Sequence, residues 1–238
     1  MTKLSVFFCR AAAWVLSLMI TIGLPVHLRR DEMTVTAHSG CMDLVDNSIE
    51  AMEAGVAAGA DIVEFDLNFT ENGDPVLSHD APKEGETYVS LADAFRFLSE
   101  HKSVRANVDV KSLEHPEKML SLAAEFGVTE QIFMTGLDEN SISIVREKCP
   151  GVPYYLNASV TEDTDVRALV EKTLELGAVG LNINRKDVSP KLARLCHRSG
   201  LLLSVWTVNE EQQIIETALM GADNITTRRP DIVCAIIK

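Results

Sequence analysis

The chain has 238 residues, of which 46% are hydrophobic, and a formal net charge of −13. This length fits one large α/β barrel or a mid-sized domain with an appendage, and the hydrophobic content is enough for a substantial core. Acidic residues outnumber basic ones by 35 to 22, and no long stripe of lysine and arginine is present. Nucleic acid is therefore not an expected partner, because binding it requires cations that neutralise phosphates.

The five cysteines are odd in number, widely spread and form no C-x-x-C pair. This pattern argues against a disulfide framework and against a zinc site, and it predicts buried or free thiols. Only Cys41 lies near the candidate site described below. Nucleophilic catalysis by Cys41 is the weakest hypothesis that the sequence offers.

The first element in chain order is an apolar segment. Residues 4–28 are almost continuously apolar, with Arg10 as the interruption and basic residues on both sides. The uninterrupted part, residues 11–26, is slightly shorter than the about 20 residues that a spanning helix needs, and no small-x-small cleavage site follows it. We interpret residues 1–31 as a membrane anchor or an uncleaved signal and expect membrane association through residues 4–28. An amphipathic or barrel-covering helix, with a cytoplasmic or exported protein, is the alternative.

From residue 32 onward, short β-branched runs alternate with helical stretches, and residues 32–238 form the second predicted domain. Eight of these runs have the length and composition of strands and are bounded by turn residues. The predicted strands are residues 33–38, 60–67, 104–110, 131–135, 152–156, 178–183, 201–206 and 222–227.

Seven stretches between these strands have the polar starts and glycine stops that are typical of helices. Two of them open at Asn47-Ser48 and at Ser90, and the others cover residues 115–126, 139–148, 163–176, 189–197 and 210–219. Strands and helices that alternate without a linker favour a closed (β/α)₈ TIM barrel over a doubly wound open sheet. An extra hairpin-like strand is predicted at residues 76–80, after the turn N-G-D-P.

In such a barrel the chemistry lies at the carboxyl ends of the strands. The first predicted strand ends in His38, the second carries Glu64 and Asp66, and the third carries Asp109 and Lys111. Residues two apart on a strand share a face, so Glu64 and Asp66 point the same way, as do Asp109 and Lys111. Buried carboxylates repel each other unless they are protonated or bridged by a cation. The three acids therefore suit a hard divalent cation, Mg²⁺ or Ca²⁺, and an internal Asp109–Lys111 ion pair is the alternative.

His79 follows the second strand in the tripeptide S-H-D, where it can lean over the same carboxyl-terminal opening. A single histidine in such a place is more often a surface residue. Together with His38, the three acids and Lys111, however, it completes a set that can supply acid, base and charge stabilisation for phosphoryl chemistry.

These ordered motifs resemble the glycerophosphodiester phosphodiesterase family. The family pattern runs H-R-G, then an E-N-T-type helix start, then G-A-D-x-I-E-x-D-x-x-x-T-x-D-G-x-x-V-x-x-H-D. This chain has A-H-S-G, D-N-S-I-E-A and G-A-D-I-V-E-F-D-L-N-F-T-E-N-G-D-P-V-L-S-H-D. Later motifs are D-V-K at 109–111 for the family's E-x-K, V-W-T-V-N at 205–209 and G-A-D-N-I-T-T-R-R-P at 221–230. The resemblance covers residues 33–238.

The resemblance implies a metal-dependent enzyme that cleaves glycerophosphodiesters to glycerol 3-phosphate and an alcohol. In the family a glycerol hydroxyl assists the attack on phosphorus, through a cyclic phosphate. The implied site has an acid/base pair, three ligands for Mg²⁺ or Ca²⁺, a cation that stabilises phosphate charge, and a pocket wall. In that order these are His38 and His79; Glu64, Asp66 and Asp109; Lys111; and Trp206.

Three departures from the family pattern bear on the substrate. Ser39 stands where the family has an arginine that contacts the phosphate, so a hydroxyl replaces a charged, bidentate donor. Phosphate binding is then weaker unless another cation substitutes. Asp109 replaces a glutamate, as in related phospholipases D of spider venom. The loop after H-D is reduced to residues 81–89, which predicts a more open mouth that tolerates bulkier head groups or lipids.

Two other activities follow from the same residues. A lysophospholipase D-like enzyme that acts on membrane lysolipids is suggested by the apolar N-terminus, Asp109 and the short loop. An inactive phosphodiester-binding barrel rests on Ser39 alone. The expected partner is thus a small molecule, either a glycerophosphodiester or a lysolipid.

Overall fold

The computed structural model describes residues 33–238. The predicted membrane segment, residues 1–31, lies outside the described residues. Within the described range, no helix combines the length and the apolar character that crossing a bilayer requires.

Nine strands form one sheet, and eight of them are parallel. The parallel strands are β1 (Thr34–Ala37), β2 (Ile62–Phe69), β4 (Arg105–Val110), β5 (Ile132–Thr135), β6 (Tyr155–Ala158), β7 (Gly180–Asn184), β8 (Leu202–Trp206) and β9 (Asn224–Thr227). Strand β3 (Pro75–Leu77) pairs with β2 in the antiparallel direction. The order is β5-β4-β2-β1-β9-β8-β7-β6, and a parallel bridge between Met134 and Tyr154 joins the two ends into a ring. The predicted TIM barrel is confirmed.

A helix follows each barrel strand. Between β2 and its helix lies the additional strand β3. The helices are α1 (Ile49–Ala57), α2 (Leu91–Glu100), α3 (Pro116–Phe126), α4 (Glu139–Lys148), α5 (Val166–Glu175), α6 (Pro190–Arg198), α7 (Glu211–Met220) and α8 (Pro230–Ile237). Side chains such as Ser48 and Asp165 accept hydrogen bonds from the first turn, as N-caps do. Helix α8 was absent from the prediction because its Val- and Ile-rich sequence resembles a strand. Pro230 at its first turn and its packing on β1 stabilise a helix instead.

Most predicted strands match the observed ones to within two residues at each end, and two differences have a clear physical reason or consequence. The strand predicted at 152–156 is Tyr155–Ala158, because Pro153 has no N–H and offers only its carbonyl, to Met134, at 2.9 Å. The hairpin strand predicted at 76–80 ends at Leu77, so His79 lies in the loop beyond it. His79 therefore takes no part in strand pairing and lies close to the carboxyl ends of the barrel strands.

The strands alternate between an apolar outer face and a polar inner face. On β2, Val63, Phe65 and Leu67 are buried in the layer beneath the helices. The floor of the barrel, at the amino ends of the strands, is closed by Ile62, Phe133 and Tyr155. Above this floor the buried inward side chains are polar; they include Thr36, Glu64, Asp66, Asn107, Thr135, Asn182, Ser204, Asn224 and Thr226. Since barrel interiors usually hold branched aliphatic residues, this polar lining points to a role beyond packing.

Candidate active site

Three carboxylates from two neighbouring strands form the centre of the mouth, the opening at the carboxyl ends of the strands. Glu64 and Asp66 come from β2 and Asp109 from β4, and each offers an oxygen that lies within 4.8 Å of the others. The register places Asp66 directly beside Asp109. Glu64 and Asp66 are only 5% and 4% exposed. The structure therefore brings the three predicted acids together in a largely buried cluster.

The electrostatics of Glu64 show that this cluster needs a counter-charge. Burial raises the pKa of Glu64 well above its ordinary value, and repulsion from Asp66 and Asp109 raises it further. The N–H of Ser39, 2.8 Å from Oε2, and the charge of Lys111 oppose this shift. A proton or a cation can relieve the repulsion, and three clustered carboxylate oxygens are the hard ligands that Mg²⁺ and Ca²⁺ prefer. The donor set thus fits a divalent cation.

Lys111 supplies part of the counter-charge. Its Nζ lies 2.6 Å from Asp109 Oδ2 and 3.1 Å from Asp66 Oδ1. Burial alone would lower the pKa of Lys111, but the two carboxylates raise it, so the ammonium stays charged. The Asp109–Lys111 ion pair that sequence reasoning weighed as an alternative is present, and it coexists with the acid cluster. One ammonium beside three carboxylates still leaves two negative charges, which matches a divalent cation.

Asn47 is a site residue that sequence reasoning treated only as a helix start. Its Nδ2 donates to Asp66 Oδ2 at 2.8 Å, and its Oδ1 accepts from the backbone N–H of Asp66 at 2.9 Å. Asn47 adopts a φ of 62°, a left-handed conformation that asparagine tolerates better than most residues. The D-N-S helix start was the available signal. Asn47 fixes one oxygen of Asp66 and leaves the other to Lys111 and the mouth.

Asp109 is held by β5 and the residue after it. Thr135 Oγ1 lies 3.0 Å from Asp109 Oδ1 and 2.8 Å from Asn107 Oδ1, and its single hydrogen serves one of them at a time. Gly136 has a φ of 77°, and a Cβ there would lie 2.5 Å from Asp109 Oδ1. A glycine is therefore required at this position for Asp109 to keep its place.

His38 follows β1 and lies beside the acids. Its Nδ1 is 3.2 Å from Ser39 Oγ and 3.8 Å from Glu64 Oε2, and its backbone N–H donates to the carbonyl of Thr227 at 2.8 Å. Burial and the charge of Arg228 lower the pKa of His38, against the opposing effect of nearby carboxylates. The imidazole is thus neutral at neutral pH, with Nε2 available, and can accept a proton.

The polar side chains of Ser39 and Cys41, which follow His38 in the motif, are buried. Ser39 is 4% exposed, with its hydroxyl at His38 and its N–H at Glu64. Cys41 is fully buried, its thiol donates to the carbonyl of Ala51 at 3.1 Å, and burial raises the pKa of Cys41 to about 11. Such a thiol does not supply a thiolate, so the hypothesis of a Cys41 nucleophile is wrong.

His79 lies on the exposed rim of the mouth. Its side chain is 70% exposed, and Nδ1 is 2.8 Å from Asp80 Oδ1. Two side chains, Ser78 Oγ and Asn68 Nδ2, donate to the carbonyl of Asp80 at 2.7 and 3.0 Å and fix the loop. The charges of both His38 and His79 contribute to lowering the pKa of Asp46, after the dominant hydrogen bond from Arg228. The N–H of Ser78 donates to the carbonyl of Asp66 at 3.0 Å, so the loop that carries His79 lies at the same end of the barrel as His38.

Trp206 ends β8, which lies on the opposite side of the ring from β4. It shares a face with Ser204, whose hydroxyl accepts from Asn224 inside the barrel. Its 37% exposure leaves part of the indole in contact with solvent at the mouth. This is the position expected for a wall of a substrate pocket.

Fold and site together define a TIM barrel with an acidic, cation-compatible mouth that two histidines flank. The family model of the glycerophosphoryl diester phosphodiesterase family matches residues 36–92 and 86–232. The chain belongs to this family of phosphoric diester hydrolases, and the resemblance seen in the sequence motifs is confirmed.

Similar proteins extend over most of the chain. The glycerophosphodiester phosphodiesterase of Caldanaerobacter subterraneus subsp. tengcongensis is 21% identical, over 86% of this chain and 97% of the relative. A crystal structure of a glycerophosphodiester phosphodiesterase from Parabacteroides distasonis has a TM-score of 0.74 at 20% identity, over 87% and 97% of the two chains. An Oleispira antarctica phosphodiesterase, solved with the product sn-glycerol-3-phosphate, has a TM-score of 0.72 at 18% identity, over 88% and 98%. At these identities the structural likeness supports the fold.

Proposed function

We propose that this protein hydrolyses glycerophosphodiesters to glycerol 3-phosphate and an alcohol, with Mg²⁺ or Ca²⁺ held by Glu64, Asp66 and Asp109. The observation that carries the proposal is the cluster of three acids within 4.8 Å of one another, with His38 beside it. Family membership and the relative solved with glycerol 3-phosphate support the substrate class.

The bound cation would neutralise phosphate oxygens and favour attack on phosphorus. Lys111 adds a second positive charge at the rim of the cluster, where negative charge develops on the phosphoryl group. Asn47 and Thr135 keep the side chains of Asp66 and Asp109 in place for both tasks. Trp206 would form the opposite wall, against the glycerol or the alcohol.

His38 and His79 divide the proton transfers. Neutral His38 takes the proton from the glycerol hydroxyl next to the diester as that oxygen bonds to phosphorus. The bond between phosphorus and the alcohol oxygen breaks, and that oxygen receives a proton from His79. Water then opens the cyclic phosphate, with the two roles reversed, to give glycerol 3-phosphate. Asp80 engages Nδ1 of His79 and so leaves Nε2 for the transfer.

Ser39 fits an orienting role in this scheme better than direct substrate binding. Its hydroxyl contacts His38, its N–H contacts Glu64, and only 4% of the residue is exposed. Ser39 would therefore fix the base and one metal ligand relative to each other. The positive charge that the family places at this position has to come from elsewhere.

The test is release of glycerol 3-phosphate from glycerophosphocholine by the purified protein with Mg²⁺ or Ca²⁺. A chelator should abolish the release, and added metal should restore it. Absence of glycerol 3-phosphate with either metal, over a panel of glycerophosphodiesters, would overturn the substrate assignment. Tight binding of glycerol 3-phosphate in calorimetry without turnover under any metal would instead favour an inactive binding barrel.

A lysolipid is the second candidate substrate. Leu44 and Val45, in the loop after β1, are 39% and 76% exposed, and Trp206 adds a further apolar surface at the mouth. These side chains offer a place for an acyl chain. Incubation with lysophosphatidylcholine in detergent should then yield lysophosphatidate or a cyclic lipid phosphate. If neither product forms while glycerophosphocholine is cleaved, the lysolipid activity is excluded.

A further inference from the structure

Arg228 lies at the mouth beside the loop that carries Ser39. It follows β9, and its Nη1 donates to the carbonyl of Gly40 at 3.1 Å. The carbonyl of Arg228 in turn accepts from the N–H of Met42 at 2.8 Å. A Cβ on Gly40 would lie 1.6 Å from Asp46 Oδ1 and 2.7 Å from Nη1, so Gly40 leaves room for this ion pair. The guanidinium of Arg228 thus contacts Gly40, which is one position after Ser39, where the family has an arginine.

The charge of Arg228 reaches the groups that the proposed reaction uses. After burial, it is the largest contribution that lowers the pKa of His38. The pKa of Arg228 is itself raised, mainly by its hydrogen bonds to Asp46, with smaller contributions from Glu64 and Asp66. Arg228 directly follows Thr227, whose carbonyl accepts from the N–H of His38 at 2.8 Å, so Arg228 lies at the same opening as the base.

In this structure, Asp46 accepts hydrogen bonds from the guanidinium of Arg228. Arg228 Nη1 lies 2.8 Å from Asp46 Oδ1, and Nη2 lies 3.0 Å from Oδ2, which is a two-point contact. A phosphate offers the same pair of oxygens to a guanidinium. The side chains are 39% and 51% exposed, and ion pairs this exposed contribute little to stability. A phosphate can therefore replace the carboxylate at small cost.

We propose that Arg228 is the phosphate-binding cation of this chain, in place of the family arginine at position 39, and that Asp46 holds it ready. The inference rests on the proposed function, since the ligand is the phosphate of a glycerophosphodiester or of its product. Lys111 is less suited to the task because Asp66 and Asp109 already engage its ammonium. Arg228 can exchange one exposed carboxylate for the substrate.

The first experiment compares Arg228→Met with Arg229→Met. Arg229 is a matched control, because it makes a similar two-point contact with Asp231, at 2.9 and 2.6 Å, one residue along the chain. Loss of a charged hydrogen bond to phosphate should raise KM for glycerophosphocholine and the Kd of glycerol 3-phosphate about 10-fold or more in Arg228→Met. In Arg229→Met both values should stay within about twofold of wild type. Kinetics and calorimetry with Mg²⁺ present give the two numbers.

The second experiment separates phosphate binding from a structural role. Ser39→Arg should restore a low KM in the Arg228→Met background, since it returns a guanidinium to the neighbouring position, and should give no such gain in wild type. Asp46→Asn should lower KM, because it releases Arg228 from its present partner. A structural role predicts neither effect, and melting curves check that each variant is folded.

The outcomes distinguish this inference from the proposed function. Equal Kd values for glycerol 3-phosphate in wild type and Arg228→Met would overturn the role of Arg228 even if the enzyme turns over. A second outcome is that wild type cleaves no diester but binds glycerol 3-phosphate more tightly than Arg228→Met does. This result would overturn the hydrolase proposal and support the role of Arg228. Absence of both turnover and binding in wild type would overturn both.

Discussion

The two sides of the barrel bury polar side chains at similar depth but use them differently. On the charged half, formed by β1, β2, β4 and β5, the inner face carries an excess of carboxylates over cations. On the neutral half, formed by β6 to β9, amides and hydroxyls bond to one another. Asn224 Nδ2 donates to Ser204 Oγ at 3.0 Å, and Asn182 Nδ2 donates to Asn157 Oδ1 at 3.2 Å. The charged half needs an outside cation, while the neutral half, apart from Asn182 Oδ1, satisfies its own buried polar groups and serves as a frame.

The halves are physically joined at two places. Thr36 on β1 donates to Asn224 Oδ1 at 2.8 Å, and the N–H of Gly136 donates to Asn157 Oδ1 at 3.0 Å. Through these contacts the neutral half fixes the strand that precedes His38 and the loop that supports Asp109. We therefore expect substitutions in the charged half to change chemistry, and substitutions of the buried amides and hydroxyls of the neutral half to change stability.

The largest effect should follow removal of a metal ligand. Asp66→Asn keeps the shape of the side chain but removes one of the charges that the cation balances. We expect kcat/KM to fall about 10³-fold or more, since a catalytic metal contributes several kcal/mol. Calorimetric titration with Mg²⁺ and Ca²⁺ should show weakened binding. Ser204→Ala, from the neutral half, is the control and should bind metal as wild type does. Unchanged metal affinity in Asp66→Asn would contradict the assignment.

Removal of either histidine should reduce catalysis but spare metal binding. His38→Ala and His79→Ala should each lower kcat by a factor of at least about 10², the usual range for a general acid or base. The metal titration should stay close to wild type, because neither residue belongs to the acid cluster. Turnover near the wild-type rate in one variant would remove that histidine from the mechanism.

The stability of the metal-free protein should depend on pH through Glu64. Because its folded-state pKa is raised, the folded state binds more protons than the unfolded state above the ordinary glutamate pKa of about 4.3. The contribution of Glu64 is therefore present at low pH and is lost as pH rises through the raised value, by about 1.4 kcal/mol for each pKa unit of the rise. Urea unfolding across pH in wild type and Glu64→Gln isolates this contribution.

Saturating metal should reverse that trend, because a cation that binds only the folded state with Glu64 ionised adds stability as pH rises. Near neutral pH, wild type should therefore be less stable than Glu64→Gln in metal-free buffer and more stable than Glu64→Gln in saturating metal. Identical pH profiles for the two proteins without metal would show that Glu64 is not under electrostatic strain.

The smallest effects should come from the neutral half, and they should differ within it. Asn224→Leu leaves Thr36 and Ser204 without their shared partner and should lower the free energy of unfolding by about 1–3 kcal/mol. Asn182 Oδ1 is buried and has no hydrogen-bond partner within residues 33–238. Asn182→Leu should therefore lower the free energy of unfolding by less than about 1 kcal/mol. Denaturant unfolding measures both. An equal loss in the two variants would show that the orphaned oxygen is satisfied by water.

Much of the fold and part of the site follow from local sequence pattern. The alternation on β2 placed Glu64 and Asp66 on the inner face, and the barrel architecture then brought Asp109 beside them. The contact between Arg228 and Gly40 joins residues 188 positions apart, and no local periodicity contains it. Asn47 was read as a helix start because its second task, holding Asp66, depends on a partner 19 residues away on another element.

The direction in which β1 runs has a consequence for where substrate comes from. Thr34 lies at the floor of the barrel, and His38 lies at the mouth, four residues or about 13 Å further on. We propose that residues 4–28 associate with a membrane, and the described part of the chain enters the barrel at its floor, where β1 begins. The floor would face that bilayer, and the mouth would open toward water. Soluble diesters would reach the mouth directly, while lysolipids of the same bilayer would reach it only after leaving the membrane.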